Sequence, residues 1–352
     1  MASRPIGYAL ALLSSLSYSA WLIASDEALA GGNVLGSLVF AMMAALATSV
    51  ALSARSLRSM GARTLVASMV GGFAFAAGNL LLYLLIPEAG LGVASAFSSL
   101  NLLFFSLMLM GRSRPGNLPE YLGGSVLATV GLGAMYAAGG VRSAGPLSIA
   151  MGIAIGILYA LGTYVLYRTS SSGGVPASTV GIFAGEVVFL LIPFSAHPVL
   201  APSVPAALAG VSLSVALLLE ASGLRILSAF GGGRETIVNV LTNLELLPIA
   251  LYYVATRQGP YVVYAASISV VIAGLILISE GVSRGFSDGK SPGARIRRDQ
   301  PRPRSSLTER SHGVNMVPRS SVTATWSSVL RMSSAASCAS APSGTTTGLS
   351  ST

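Results

Sequence analysis

The feature that most constrains this chain is a series of ten apolar segments separated by short polar connections. Each segment is close to the roughly 20 residues that an α-helix needs to cross a bilayer. In lipid such segments must be helical, because a strand with open edges would leave backbone groups without hydrogen bonds. The sequence therefore predicts an all-α integral membrane protein with ten transmembrane helices. The predicted spans are Ile6–Ser25, Asn33–Ser53, Leu65–Ile86, Gly90–Met110, Tyr121–Gly139, Pro146–Tyr167, Ala177–Ser195, Val204–Leu227, Thr236–Thr256 and Tyr261–Ser279.

The charge content excludes a water-soluble globular fold. Only 9% of the 352 residues are charged, whereas soluble domains usually carry about 25%. The net charge of +9 also lies mainly outside the apolar core, because the segment from Arg284 onward holds ten Lys or Arg and three acidic residues. The first 283 residues hold eleven Arg and nine acidic residues. The core therefore has no charge excess for nucleic acid, and the predicted partners are the lipid bilayer and a small molecule.

Basic residues in the connections set the predicted orientation. With the N-terminus in the cytoplasm, the inside connections hold Arg4, Arg55, Arg58, Arg63, Arg112, Arg114, Arg168 and Arg234. The outside connections hold only Arg142 and Arg257, beside Asp26, Glu27 and Glu88. Because cytoplasmic loops are enriched in Lys and Arg, we expect a multi-pass protein of the cell (plasma) membrane with both termini cytoplasmic.

The two ends of the chain are interpreted separately. Arg4, the following apolar run and Ala28-Leu29-Ala30 are similar to a cleavable signal peptide, but the run is longer than a usual signal core. Cleavage would also remove the first helix of the repeat described next. The segment 285–352 is rich in Ser, Arg, Pro, Thr and Gly. It is predicted to be a disordered basic cytoplasmic tail, with binding to anionic lipid as the alternative.

An internal repeat is the strongest organisational signal in the sequence. The fourth segment, VASAFSSLNLLFFSLML, aligns without a gap on the ninth, IVNVLTNLELLPIALYY, 144 positions later. Three further pairs match at a similar spacing: Gly131 and Gly274 are 143 residues apart, Asn79 and Glu220 are 141 apart, and Tyr18 and Tyr159 are 141 apart. The predicted repeats are 1–140 and 146–282. Since five helices is an odd number, the second repeat must enter the membrane in the opposite orientation, as in many secondary transporters.

The end of each repeat resembles a known family. The first copy reads ASAFSSLNLLFFSLMLMGR and continues into EYLGGSVLATVGLGAMY, and the second reads NVLTNLELLPIALYYVATRQGPYVVYAASISVVIAGLILIS. This arrangement resembles the EamA-like branch of the drug/metabolite transporter superfamily. Pro248 matches a proline of that family, whereas Phe104 replaces it in the first copy. The acid that recurs after these helices in the family is absent at Gly111-Arg112 and Thr256-Arg257.

The resemblance implies a secondary transporter, most often an exporter, that moves small metabolites by alternating access. Because few charges lie inside the membrane, we expect a neutral, zwitterionic or cationic cargo rather than a polyanion. Two other classes stay open: a lipid-handling protein or intramembrane enzyme that uses the same cavity, and a non-transporting membrane scaffold. Whether the chain forms a homodimer also stays open.

Polar residues on the fourth and ninth helices are the first candidates for a substrate cavity. Asn239, Thr242 and Asn243 share one face of the ninth helix, because residues three and four apart lie on one side of a helix. Glu245 flanks this polar face. Repeat symmetry gives the fourth helix a matching face. The alternative for the hydroxyl and amide groups is hydrogen bonding between helices. The cavity candidates on these two helices are Ser95, Ser99, Asn101, Asn239, Thr242, Asn243 and Glu245.

Four other helices carry candidates that are related by the same repeat. Tyr18 and Tyr159 are the cavity candidates of the first and sixth helices, and Asn79 and Glu220 those of the third and eighth. Acids inside a membrane usually face a cavity or a partner. Glu245, Glu220 and Glu186 are therefore the candidate proton carriers if transport is coupled to protons. A structural salt bridge with another helix for Glu220, and a lipid-boundary position near one end for Glu186, are the alternatives.

Sites for other chemistry are not predicted. The chain contains no phosphate-binding loop of the P-loop type, no HExxH motif and no nucleophile elbow. Its two histidines and its single cysteine, Cys338, do not form a metal-binding pattern. We therefore predict no catalytic residues, no metal and no cofactor, and the protein is not expected to be an enzyme.

Overall fold

The structure is a computed structural model. It describes residues 4–59, 61–110, 118–138, 146–229, 234–245, 248–249, 252 and 261–284. All of them belong to one compact unit, which extends to residue 294. The predicted tail at 285–352 lies outside the described residues, so its disorder stays a prediction.

The described part of the chain is helical and contains no strand. A 3₁₀ segment, Ala54–Ser59, follows the α-helix that ends at Ser53. Another, Asn243–Glu245, follows the α-helix that ends at Thr242. The helices are α1 (Arg4–Leu29), α2 (Val34–Ser53), α3 (Ala62–Ala89), α4 (Leu91–Ser98), α5 (Asn101–Met110), α6 (Leu118–Ala138), α7 (Pro146–Gly173), α8 (Val175–Phe194), α9 (Val204–Ser228), α10 (Arg234–Thr242) and α11 (Tyr261–Arg284).

Six of these helices, among the residues that the structure describes, are long and apolar enough to cross a membrane. They are α1, α2, α3, α7, α8 and α9. Large apolar side chains such as Val66, Val70 and Ile192 lie exposed on the outside of the bundle. Aliphatic side chains on a helix surface are suited to lipid, where the helix satisfies its own backbone groups. The prediction of an all-helical, multi-pass membrane protein is thus confirmed.

Two predicted helices are interrupted in the structure. The predicted span Gly90–Met110 is divided into α4 and α5 by a turn at Ser99 and Leu100. The predicted span Thr236–Thr256 begins as α10 and becomes a 3₁₀ turn at Asn243–Glu245. Apolar content predicts where a chain crosses lipid, but it does not reveal interruptions that local side-chain hydrogen bonds produce.

The long helices pack in a defined set of pairs. α1 packs on α9, and α3 packs on both α7 and α8. α2 lies against α8 and α9, and α6 packs on α11. The main apolar core is formed by α1–α4 and α7–α9 together with part of α10. A smaller apolar cluster joins α6 and α11 to Leu102 of α5 and Val240 of α10.

Glycines allow these helices to approach closely. A Cβ added at Gly124 of α6 would lie 2.6 Å from the carbonyl oxygen of Gly274 of α11, and the reverse contact is also 2.6 Å. A Cβ at Gly210 of α9 would overlap the carbonyl oxygen of Ala41 of α2. Small residues of this kind bring backbones together in membrane helix pairs, where dispersion contacts supply much of the stability.

We expect the substitution Gly210→Ala to destabilise the protein by about 1–3 kcal/mol, the range for overpacking a well-packed interior. The new methyl group would meet backbone of α2, which cannot move aside as a flexible side chain can. The melting temperature of the purified protein should fall. Gly123→Ala is the matched control, because a Cβ there has no atom within 4 Å. Equal melting temperatures for the two variants would contradict the close α2–α9 contact.

Candidate functional site

The turn between α4 and α5 arises from serine hydroxyl groups that bond to the helix backbone. Ser98 Oγ donates to the carbonyl oxygen of Ser95 at 2.6 Å, and Ser99 Oγ lies 3.3 Å from the same oxygen. The next backbone bond, from Leu100 N to Phe97 O at 3.0 Å, spans three residues instead of four. Hydroxyl groups that bond back to the preceding turn compete with the helix and bend it.

The end of α10 repeats this arrangement at the aligned positions. The carbonyl oxygen of Asn239 accepts Thr242 Oγ1 at 2.9 Å and Asn243 Nδ2 at 2.6 Å. Asn239, Thr242 and Asn243 are the residues that align with Ser95, Ser98 and Ser99. A 3₁₀ turn then leads to Glu245. Short 3₁₀ stretches inside a helix often mark functional hinges.

Polar side chains at the two interruptions contact each other across the bundle. The hydroxyl of Ser98, which bonds to the carbonyl oxygen of Ser95, makes a second, longer branch of a bifurcated hydrogen bond to Glu245 Oε1 at 3.3 Å. Asn101 Oδ1 accepts Asn243 Nδ2 at 3.2 Å and lies 3.5 Å from Asn239 Nδ2. In addition, Ser19 Oγ of α1 donates to the backbone carbonyl of Glu245 at 2.9 Å. These contacts position Glu245 between α1 and the α4–α5 turn.

A second polar group joins α3, α7 and α8. Tyr159 donates its hydroxyl to Asn79 Oδ1 at 2.7 Å, and Asn79 Nδ2 donates to Glu186 Oε2 at 2.7 Å. Asn79 thus accepts one hydrogen bond through its amide oxygen and donates another through its amide nitrogen. Glu186 is 2% exposed and lies inside the bundle rather than at the lipid boundary.

A related hydrogen bond joins α1 to α9. The hydroxyl of Tyr18 donates to Glu220 Oε2 at 2.6 Å. Tyr18 aligns with Tyr159 and Glu220 aligns with Asn79. The aligned residues therefore form two equivalent tyrosine hydrogen bonds, and each of them joins the two halves of the chain. Arg225, the base nearest to Glu220 along α9, is exposed. The described partner of Glu220 on another helix is therefore a tyrosine, and not the base that the salt-bridge alternative requires.

These groups line a partly enclosed cavity of about 40 Å³. A single water needs about 10–15 Å³ by this measure, so the cavity has room for a few waters. Ligand pockets for small molecules are typically about 300–1,000 Å³, so the cavity is smaller than such a pocket. The lining residues are Tyr18, Trp21, Phe75, Asn79, Ser98, Asn101, Tyr159, Thr163, Phe183, Glu186, Leu213, Leu217, Glu220, Asn239, Thr242, Asn243 and Glu245.

The structure brings most of the sequence-predicted site residues to this cavity. Ser95 and Ser99 are the exceptions, because their polar groups take part in the α4–α5 turn and they do not line the cavity. The nine predicted cavity residues that line it are Tyr18, Asn79, Asn101, Tyr159, Glu220, Asn239, Thr242, Asn243 and Glu245. Glu186, predicted only as a candidate proton carrier, lines it as well.

Several lining residues were not predicted, although helical spacing could have indicated them. Phe75 precedes Asn79 by four residues, Thr163 follows Tyr159 by four, and Phe183 precedes Glu186 by three. Leu213 and Leu217 precede Glu220 by seven and three residues. Residues three, four and seven apart share a helix face. Once a polar residue is known to face a cavity, the residues at these spacings from it are therefore expected to line the same cavity. Apolar residues carry no such signal by themselves.

The lining offers carboxyl, amide, hydroxyl and aromatic groups, and no base occurs among the described residues that form it. Within the described part of the chain, no group of three His, Cys, Asp or Glu residues could hold a metal ion. A buried polar group is costly unless it is hydrogen-bonded, and these groups bond to one another across helices. Such an arrangement can bind a small polar molecule.

The fold and the site together define a multi-pass helical membrane protein with a buried polar cavity. Neither a protein-family model nor a curated protein matches this chain. Seventeen chains of solved structures match it. One is a crystal structure with a TM-score of 0.59 and 15% sequence identity, over 80% of this chain and 99% of that chain. At this identity the similarity shows the fold alone.

Proposed function

We propose that this protein is a secondary transporter that exports small metabolites by alternating access. It belongs, in this proposal, to the EamA-like branch of the drug/metabolite transporter superfamily. It has ten transmembrane helices in two inverted repeats, 1–140 and 146–282, and lies in the plasma membrane with both termini cytoplasmic. The interrupted helices α4–α5 and α10, which meet beside buried acids, are the observation that carries the proposal. Discontinuous helices commonly form the substrate site of secondary transporters.

Helix bounds support the repeat. α2 begins at Val34 and α8 at Val175, which is 141 residues later, and both helices have 20 residues. α6 begins at Leu118 and α11 at Tyr261, which is 143 residues later. Repeats of five helices have opposite orientations in a membrane, and their interface is where secondary transporters bind substrate.

Helix packing supports a two-fold relation between the repeats. α1 packs on α9 as α7 packs on α3, and these are aligned pairs. α2 packs on α8, and α6 packs on α11, so each of these two pairs joins equivalent helices. A relation of this kind allows one half to rock against the other around a fixed site, which is the geometry of alternating access.

Besides the hydrogen bonds at the cavity, further ones between the two halves lie at the end of the bundle that the charge distribution assigns to the outside. Tyr252 donates its hydroxyl to Glu27 Oε1 at 2.7 Å. Asn33 Nδ2 donates to the carbonyl oxygen of Val199 at 3.0 Å. Ser148 Oγ lies 3.4 Å from Glu88 Oε2. In the proposed mechanism these contacts break when the cavity opens to the outside. The Tyr252–Glu27 and Asn33–Val199 contacts are exposed, so they can re-form without a large desolvation cost.

The proposal is tested by substrate counterflow. The purified full-length protein is reconstituted into liposomes that are preloaded with unlabelled amino acids, sugars, nucleosides or cationic drugs. We expect saturable accumulation of the labelled compound for at least one class, above the level of protein-free liposomes. Folded protein that gives no counterflow with any class would contradict transport and would favour the lipid-handling or scaffold alternatives.

A further inference from the structure

We infer that the cavity recognises the positively charged ammonium group of a small organic cation. This inference rests on the proposed transport function, because it names the class of cargo. The cavity combines three carboxyl groups with five aromatic rings and lacks a base among the described residues that line it. Four further observations, on charge, hydrogen-bond capacity, lining chemistry and cavity volume, lead to this conclusion.

The three acids that line the cavity all lie in the second half of the chain. Glu186 lies on α8, Glu220 on α9 and Glu245 after α10, and all three are at most 7% exposed. The aligned partners of Glu220 and Glu245 are Asn79 and Asn101, which are uncharged. The bases of the lining helices lie toward helix ends: Arg4 on α1, Arg63 on α3, Arg168 on α7, Arg225 on α9 and Arg234 on α10. The cavity is therefore formally anionic, which favours a cation and disfavours an anion.

Each carboxyl group keeps hydrogen-bond capacity for a ligand. One side-chain donor reaches each of them in the described structure, namely Asn79 for Glu186, Tyr18 for Glu220 and Ser98 for Glu245. A carboxylate can accept about four hydrogen bonds, and an ammonium group can donate three. Burial of a carboxylate is costly unless charge or hydrogen bonds compensate it. A cation at this position would supply both.

Aromatic rings favour an organic cation over a hydrated metal ion. Tyr18, Trp21, Phe75, Tyr159 and Phe183 line the cavity. The centroids of Phe75 and Tyr159 lie 5.9 Å apart, and those of Tyr18 and Trp21 lie 6.1 Å apart. Cations bind over ring faces within about 6 Å of the centroid. Hard metal ions instead need about six to eight oxygen ligands. A lining that includes apolar residues such as Leu213 and Leu217 does not favour such a coordination shell.

The volume of the cavity is consistent with binding of an ammonium head group. A cavity of about 40 Å³ has room for a group the size of a few waters. The remainder of the cargo would then occupy the space that opens when the halves separate.

The test compares cations with neutral molecules of the same shape. Butylammonium is paired with 1-butanol, and benzylammonium with benzyl alcohol, in ligand-induced thermal stabilisation of the purified full-length protein. A ligand that binds the folded state stabilises it by mass action. We expect at least one cation to stabilise saturably, with an apparent Kd at least tenfold lower than that of its neutral partner. Equal stabilisation by the two members of both pairs, or none by either cation, would overturn the inference.

Variants test whether the cavity carboxylates provide the recognition. Glu220→Gln and Glu245→Gln should each weaken cation binding at least tenfold and leave binding of the neutral partners unchanged. Glu280→Gln is the control, because it removes one negative charge from an exposed position on α11 outside the cavity. An equal loss in the control would overturn the inference. Counterflow separates this inference from the proposed function: transport of neutral metabolites but not cations would overturn the cation inference alone.

Discussion

Replacing Glu245 with Gln is expected to lower the rate of substrate counterflow at least tenfold and to leave the protein folded. Gln has nearly the same shape, and it keeps an oxygen to accept the hydrogen bond that Ser98 donates at 3.3 Å. The backbone carbonyl of residue 245 also keeps the hydrogen bond from Ser19. What is lost is the charge. A hydrogen bond to a charged group contributes about 1.5–3 kcal/mol, and 1.4 kcal/mol corresponds to a factor of ten.

The measurement combines counterflow with thermal melting of the same preparation. Glu280→Gln is the matched control, because it makes the same chemical change at an exposed position on α11. Counterflow should be close to wild type in the control. If Glu245→Gln transported as fast as wild type, the acid would have no part in the substrate site. If its melting temperature fell strongly, the effect on transport would be one of folding.

The second large effect is expected for Asn79→Leu, which should lower the free energy of unfolding by about 2–4 kcal/mol. Leu is close to Asn in size but offers neither a donor nor an acceptor. The substitution would leave Glu186 Oε2 without its donor and the hydroxyl of Tyr159 without its acceptor. A buried polar group that loses its partner costs about 1–3 kcal/mol, and more if it is charged.

A double-mutant cycle with Glu186→Leu tests this explanation. Removing both partners of a buried hydrogen bond costs less than removing one, so the double variant should be more stable than the sum of the two single effects predicts. The free energies of unfolding would be measured in mixed micelles by titration with a denaturing detergent. Additive effects would show that Asn79 and Glu186 are not energetically coupled, in spite of their 2.7 Å contact.

The sequence alone was sufficient to predict the class of fold. Apolar runs of the length of a bilayer must be helical, because lipid offers no other partner for backbone groups. For the same reason α2 and α8 could be located within a few residues of their ends. Ten spans in two inverted repeats remain a prediction, which the equivalent bonds of Tyr18 and Tyr159 support.

The polar candidates were also visible in the sequence, because a Glu or Asn within an apolar helix is unusual whatever its surroundings. Their partners were not visible. Tyr18 and Glu220 are 202 residues apart, and Asn79 and Glu186 are 107 apart. Such pairs depend on which helix faces meet, and residues that are distant in sequence meet only after the bundle has packed.

Only the tertiary structure decided how individual polar groups are used. Ser95, Ser98 and Ser99 look alike in the sequence, and both Ser98 and Ser99 bond back to the carbonyl of Ser95, yet Ser98 also reaches Glu245. The apolar lining residues Phe75, Phe183 and Leu217 have the composition of lipid-facing or core residues. The sequence determined that the chain must be helical in a membrane and which polar groups enter it. Helix packing determined which of those groups share a cavity, because the few ångströms that separate a hydrogen bond from a missed contact are set by close approach of whole helices.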